Sequence, residues 1–118
     1  MKNDIAVETL SALAQEHRLA AFRLLVQAGQ SGVPAGDIAD ALNLPNSSLS
    51  FHLAQLRHAG LVTQHRDGRS LIYVANYQAM NALIAYLMEN CCGGSDCAPL
   101  GELSCIIEGK QNETPACA

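Results

Sequence analysis

Three of the five cysteines stand close together. Cys91 and Cys92 are adjacent, and Cys97 follows across Gly93-Gly94-Ser95-Asp96. Thiolate sulfur is the polarizable donor that a soft metal or metalloid centre needs. Trivalent arsenic takes three sulfurs in a pyramid, its lone pair on the open side. Two adjacent cysteines supply two of these if the backbone bends, and the Gly93-Gly94 link has the conformational freedom to bring Cys97 round as the third. The expected ligand is therefore As(III), with Sb(III) admitted by the same donors. All four histidines lie between 17 and 65, so a zinc site containing imidazole is less natural here. Free cysteines are often small buried hydrophobes, but an adjacent pair and a third after Gly-Gly, in a polar tail, do not read as core. Cys105 and Cys117 are separated from the cluster by flexible chain whose closure costs entropy. Cys105, within Leu103-Ser104-Cys105-Ile106-Ile107, reads as a packing residue. Two other uses of the thiols stay open. Near-vicinal thiols form disulfides, which is redox sensing. Four-thiolate coordination that includes Cys105 suits zinc or cadmium, with lead and bismuth as further soft candidates.

The elements that must position this cluster come from the rest of the 118-residue chain, a length that fits one domain. Residues 1–10 carry Lys2, Asp4 and Glu8 and no apolar signal-like core. The apolar stretches are too short to span a bilayer. A cytosolic location is expected, with no membrane partner, and an odd number of cysteines there reads as thiols or ligands rather than a disulfide framework. The net charge of −4 speaks at first against nucleic acid, yet it is unevenly placed. Residues 1–88 hold six basic and six acidic groups, and the segment 89–118 supplies all of the deficit. Between 47 and 70, Arg57, Arg66 and Arg69 face Asp67 alone, with His52, His58 and His65 near them. Charge close to the phosphates matters more than the global sum.

Apolar residues make up 49% of the chain and aromatics 4%, mostly alanine and leucine, which favours helices. Residues 4–15 read as a short apolar helix through Ile5, Leu10 and Leu13. Residues 16–28 place Leu19, Phe22, Leu25 and Val26 on one face, and Gly29 ends that helix. Pro34 opens a third helix over 35–43 that buries Ile38, Ala39 and Leu42. Leu44-Pro45 breaks the chain, and Asn46-Ser47-Ser48 offers N-caps for a fourth helix, over 47–58, with Leu49, Leu53 and Leu56 inward. Residues 61–66 and 71–75 are β-prone runs around Asp67-Gly68, a hairpin signal. Asn76 caps a last helix over 77–90 with Met80, Leu83, Ile84 and Leu87 on its apolar face. From Gly93 onward the chain reads as irregular, apart from a possible short element over 103–107.

Two short helices across a tight turn, followed by a hairpin with basic arms, make a winged helix-turn-helix: mainly α with a small β-hairpin. A recognition helix must pack one face on its domain and expose short polar side chains on the other to reach base edges. Ser47, Ser48, Ser50, His52 and Gln55 fit the exposed face, since hydroxyls and amides read bases or fix phosphates. Arg66 and Arg69 flank the hairpin tip, where a wing meets the DNA backbone or minor groove. His58 and His65 read as surface residues. An enzyme is disfavoured: there is no Cys-x-x-Cys in a βαβ context and no phosphate-cradling glycine loop. A protein-interaction module differs from a DNA-binding one in lacking salt-dependent retention on duplex DNA.

The stretches EHRLAAFRLLVQAG, GDIADALNLPNSSLSFHLAQLRHAGLV and RDGRSLIYVA resemble the ArsR/SmtB family of metal-sensing repressors. The likeness covers about residues 5–90, with Ser50-Phe51-His52-Leu53 through Ala59-Gly60-Leu61 its most diagnostic part. It implies a homodimer joined through the first and last helices, operator double-stranded DNA bound in the metal-free state, and derepression on metal binding. On this likeness, residues 1–90 form the DNA-binding and dimerisation domain and 91–118 a cysteine-containing tail. Well-known arsenic sensors of the family carry paired cysteines in the helix before the recognition helix. Residues 33–40 here, VPAGDIAD, have none. Family sites of carboxylates and histidines on the last helix also look absent, with Glu89 alone there. The C-terminal cysteines are thus a reading of this chain's own residues.

Overall fold

A computed structural model describes residues 1–91. Cys92, Cys97, Cys105 and Cys117, and the element expected over 103–107, lie outside the described residues. The chain divides into two units, Met1–Leu87 and Met88–Ala118. The first holds α1 (Asn3–Leu13), α2 (Glu16–Ala28), β1 (Val33–Pro34), α3 (Ala35–Leu42), α4 (Asn46–His58), β2 (Val62–Asp67), β3 (Ser70–Ala75) and α5 (Tyr77–Leu87). The strands form one antiparallel sheet in the order β1-β3-β2. This is the mainly helical winged helix-turn-helix that the sequence implies. Among the described residues no helix is long and apolar enough to cross a membrane.

Local chemistry sets the boundaries. Ala14 leaves the helical conformation and Gln15 turns extended, so α1 stops at Leu13 rather than at 15. Gln15 then caps α2: its Oε1 accepts from the backbone N–H groups of His17 at 2.9 Å and Arg18 at 3.0 Å, satisfying two donors that a helix start leaves open. Gly29 ends α2 with φ 83°. β1 was not legible in the sequence. It pairs only Val33 with Tyr73 and Pro34 with Ile72, too short for an alternating pattern, and proline is tolerated because the strand lies at the sheet edge. In the β2–β3 hairpin Asp67 pairs with Ser70. The two-residue loop is therefore Gly68-Arg69, one residue later than expected, with Gly68 at φ 64° supplying the required positive angle. Asn76 Oδ1 accepts from Ala79 N–H at 3.2 Å and starts α5 as expected. That helix ends at Leu87, three residues before the expected boundary, and the chain turns through 88–90 to Asn90 at φ 56°.

The core of the first unit is built from Leu25, Ile38, Leu49, Leu53, Leu56 and Leu61, each no more than 1% exposed. Burying a leucine side chain stabilises by roughly 1.5–3 kcal/mol, so α4 is anchored by its Leu49–Leu53–Leu56 stripe. Leu19, placed on the apolar face of its helix by the sequence pattern, is exposed, as are Ile5 and Leu10 of α1 and Leu87 of α5. On α1 the buried positions are the small Ala6, Thr9 and Ala12, which permit close approach to neighbouring helices. Thr9 satisfies its hydroxyl by donating to Ile5 C=O at 2.8 Å.

Candidate nucleic-acid interface

The turn between α3 and α4 is closed by Asn43, which takes the left-handed conformation at φ 56°. Its N–H and that of Leu44 return to carbonyls of Ala39 and Asp40, the usual way to finish a helix with a left-handed residue. Pro45 then occupies the N-cap position of α4. The cap expected from Asn46-Ser47-Ser48 does not form, because these residues are already inside the helix, and no side chain caps it. The first-turn N–H groups of α4 are left open, with no acidic residue in that turn. Such a helix start attracts anions.

Ser47, Ser48 and Ser50 are exposed on α4. Gln55 is half-buried and lines a pocket with Glu8, Arg18 and His58. His52 is turned toward α2. Its ring lies 5.6 Å from that of His17 and 5.7 Å from that of Phe51, and its Nδ1 is buried without a hydrogen-bond partner. Arg66 is on β2 opposite Leu71, and Arg69 is in the hairpin loop. Both are exposed, and the sole salt bridge among the described residues joins His17 to Glu16. The two wing arginines have no carboxylate partner there and can meet phosphates. Phe51, which the leucine stripe already places on the outer face by its helical angle, is 58% exposed.

Burial holds the His52 pKa below its ordinary value of 6.5, and the charges of Arg18 and His17 push in the same direction. The unfolded chain therefore takes up this proton first as pH falls. The contribution is neutral above about pH 6.5 and becomes destabilising as pH drops from there toward the lowered folded value. The urea midpoint of wild-type protein should fall more steeply below about pH 6.5 than that of a His52→Gln protein. Identical pH profiles would show that His52 titrates alike in folded and unfolded chains.

The end of α4 is tied to the start of α5. Asn76 N–H donates to Leu61 C=O at 2.8 Å, and Asn76 Nδ2 donates to Gly60 C=O at 2.9 Å. The adjacent Tyr77 hydroxyl donates to Val26 C=O at 2.8 Å. A shift of α5 would thus be felt at the C-terminal end of α4. In the second unit, Cys91 is partly buried, and its N–H donates to Met88 C=O at 3.0 Å. The described residues hold no group of three His, Cys, Asp or Glu side chains placed to bind a metal.

Comparison with known proteins agrees with this geometry. A helix-turn-helix domain family matches residues 13–65. The HTH-type transcriptional regulator YgaV of Escherichia coli is 33% identical over 87 residues, which is 74% of this chain and 86% of the relative. The structure of reduced HlyU from Vibrio cholerae superposes with a TM-score of 0.61 at 31% identity, over 75% of this chain and 90% of that one. The structure of a possible transcriptional regulator for arsenical resistance gives 0.61 at 30% identity, over 68% and 80%. These relatives are regulators, and the chain is a DNA-binding regulator rather than an enzyme. It belongs to the ArsR/SmtB family of winged-helix transcriptional regulators.

Proposed function

We propose that the chain acts in the cytosol as a homodimeric repressor that holds operator DNA when ligand-free and releases it when Cys91, Cys92 and Cys97 capture As(III), with Sb(III) as the second ligand of the same chemistry. The observation that carries the sensing half is the donor set. Three of five cysteines fall within 91–97, beginning four residues after α5, and no histidine follows residue 65. The likeness to a possible transcriptional regulator for arsenical resistance supports the same ligand. The DNA half rests on the open serine face of α4 and on Arg66 and Arg69. Dimerisation is supported by the large apolar side chains that α1 and α5 leave exposed, Ile5, Val7, Leu10 and Leu87.

When bound, trivalent arsenic supplies a soft, thiophilic centre with three positions for sulfur. A soft centre is held by thiolates, so Cys91, Cys92 and Cys97 give up their protons on binding. Capture must favour the conformation that binds DNA poorly, since equal affinity for both would shift nothing. Asn76 offers the mechanical route, because it links α5 to the residues that end α4.

Arsenite added to the reduced full-length protein should shield three of the five thiols of each chain from alkylation. Shielding of two or none would contradict the three-sulfur site. A thiol–disulfide sensor is the second reading, favoured by the adjacency of Cys91 and Cys92 and the likeness to a protein studied in its reduced form. It requires the response to disappear under anaerobic reducing conditions, whereas arsenite capture persists. A zinc or cadmium sensor would shield a fourth thiol, that of Cys105.

A further inference from the structure

Phe51 is out of place by the logic of folding. Leu49, Leu53 and Leu56 fix which side of α4 faces the core, each no more than 1% exposed. Phe51 projects about half a turn away from that stripe. It is 58% exposed, so the fold gains little from it and leaves most of an aromatic ring in water. Its neighbours on the same outer face are Ser47 and Ser48, both exposed. On one side the ring meets the edge of His52, with 5.7 Å between centroids and 64° between planes. His52 is itself held against His17 of α2. The phenyl group is thus steadied from within the domain while its outer surface stays open, at the middle of the face that enters the major groove in the operator-binding reading.

A phenyl ring has no hydrogen-bonding group. Of the features displayed along major-groove edges, the apolar one it can recognise is the C5-methyl of thymine. We infer that Phe51 is a specificity-determining residue that packs on a thymine methyl in each operator half-site, complementing the hydroxyls of Ser47 and Ser48. This rests on the operator-binding reading above but not on the identity of the inducer, so it can be tested without any metal.

The test replaces thymine by deoxyuridine, which keeps every base-pairing group and removes only the methyl. Reduced, ligand-free full-length protein is titrated by fluorescence anisotropy onto the promoter duplex of its own gene. Thymines are changed to deoxyuridine one position at a time, symmetrically in both half-sites. One such position should weaken wild-type binding by about fourfold per half-site, the effect of burying one methyl-sized group. Phe51→Ala should bind the thymine and deoxyuridine duplexes equally at that position, and Phe51→Leu should recover part of the discrimination. The urea midpoint of Phe51→Ala should match wild type, because the ring is mostly exposed; this separates a lost contact from a lost fold. Wild-type binding insensitive to every deoxyuridine would overturn the inference, as would unchanged discrimination in Phe51→Ala. Absence of any salt-sensitive binding by wild type would instead remove the operator reading, and this inference with it.

Discussion

Replacing Cys92 by serine is expected to leave operator binding intact and to abolish release by arsenite. Serine keeps the size and removes the polarizable sulfur, and a hydroxyl is a poor donor to a soft centre. Cys92 is not part of α4 or the wing hairpin, so ligand-free affinity for DNA should change by less than about twofold, the change that about 0.5 kcal/mol produces. Saturating arsenite should weaken wild-type operator binding by about 5–150-fold, the usual range for coupling between two sites. The Cys92→Ser protein should show no such loss. Anisotropy titrations with and without arsenite, in strong reductant, read both quantities. A variant that releases DNA as wild type does would place the sensing site elsewhere.

The largest expected effect on stability is at Gly32. It lies in the loop between α2 and β1 with φ +75°. A Cβ there would meet the Tyr73 carbonyl oxygen at 2.6 Å, Ile72 Cγ2 at 2.7 Å and Val74 Cγ2 at 2.8 Å. Tyr73 and Ile72 are the residues β1 pairs with, so the loop cannot move off β3 without opening that edge of the sheet. Gly32→Ala combines a left-handed conformation, about 1–2 kcal/mol for a residue with a Cβ, with overpacking of about 1–3 kcal/mol. The expected loss is about 2–5 kcal/mol, a large part of the ~5–15 kcal/mol that holds a domain together. Gly29→Ala is the control. Its φ is +83°, but nothing lies within 4 Å of an added Cβ, so only the conformational cost of about 1–2 kcal/mol applies. Urea denaturation of the two variants should differ accordingly. Equal losses would mean that the loop yields and the contact with β3 does not constrain it.

Elements whose signals are local could be read from the sequence. The Leu49–Leu53–Leu56 stripe, the Gly29 stop, the Asn76 cap and the Asp67-Gly68-Arg69 hairpin each declare themselves within a few residues. Features that depend on distant partners could not. β1 exists because Val33 and Pro34 meet β3 across the fold. Nothing in GQSGVP marks Gly32 as the glycine pressed against Tyr73. Leu19, Ile5 and Leu10 follow a helical apolar pattern, yet are exposed in the single chain, because periodicity does not tell a buried apolar face from an exposed one. The exposed serines of α4 are legible from its leucine stripe, whereas the contact of His52 with His17 comes from the packing of α4 on α2. The sulfur chemistry of Cys91, Cys92 and Cys97 is read from residue type and spacing, and of the three Cys91 is among the described residues.

Release of DNA by a three-thiolate ligand is tested most directly by anisotropy of the reduced, ligand-free protein on the promoter duplex of its own gene, titrated in parallel with arsenite, antimonite, zinc and cadmium. Release by arsenite and antimonite, with zinc and cadmium inactive, is the expected result. Release by zinc or cadmium alone, or binding that none of the four disturbs, would contradict it.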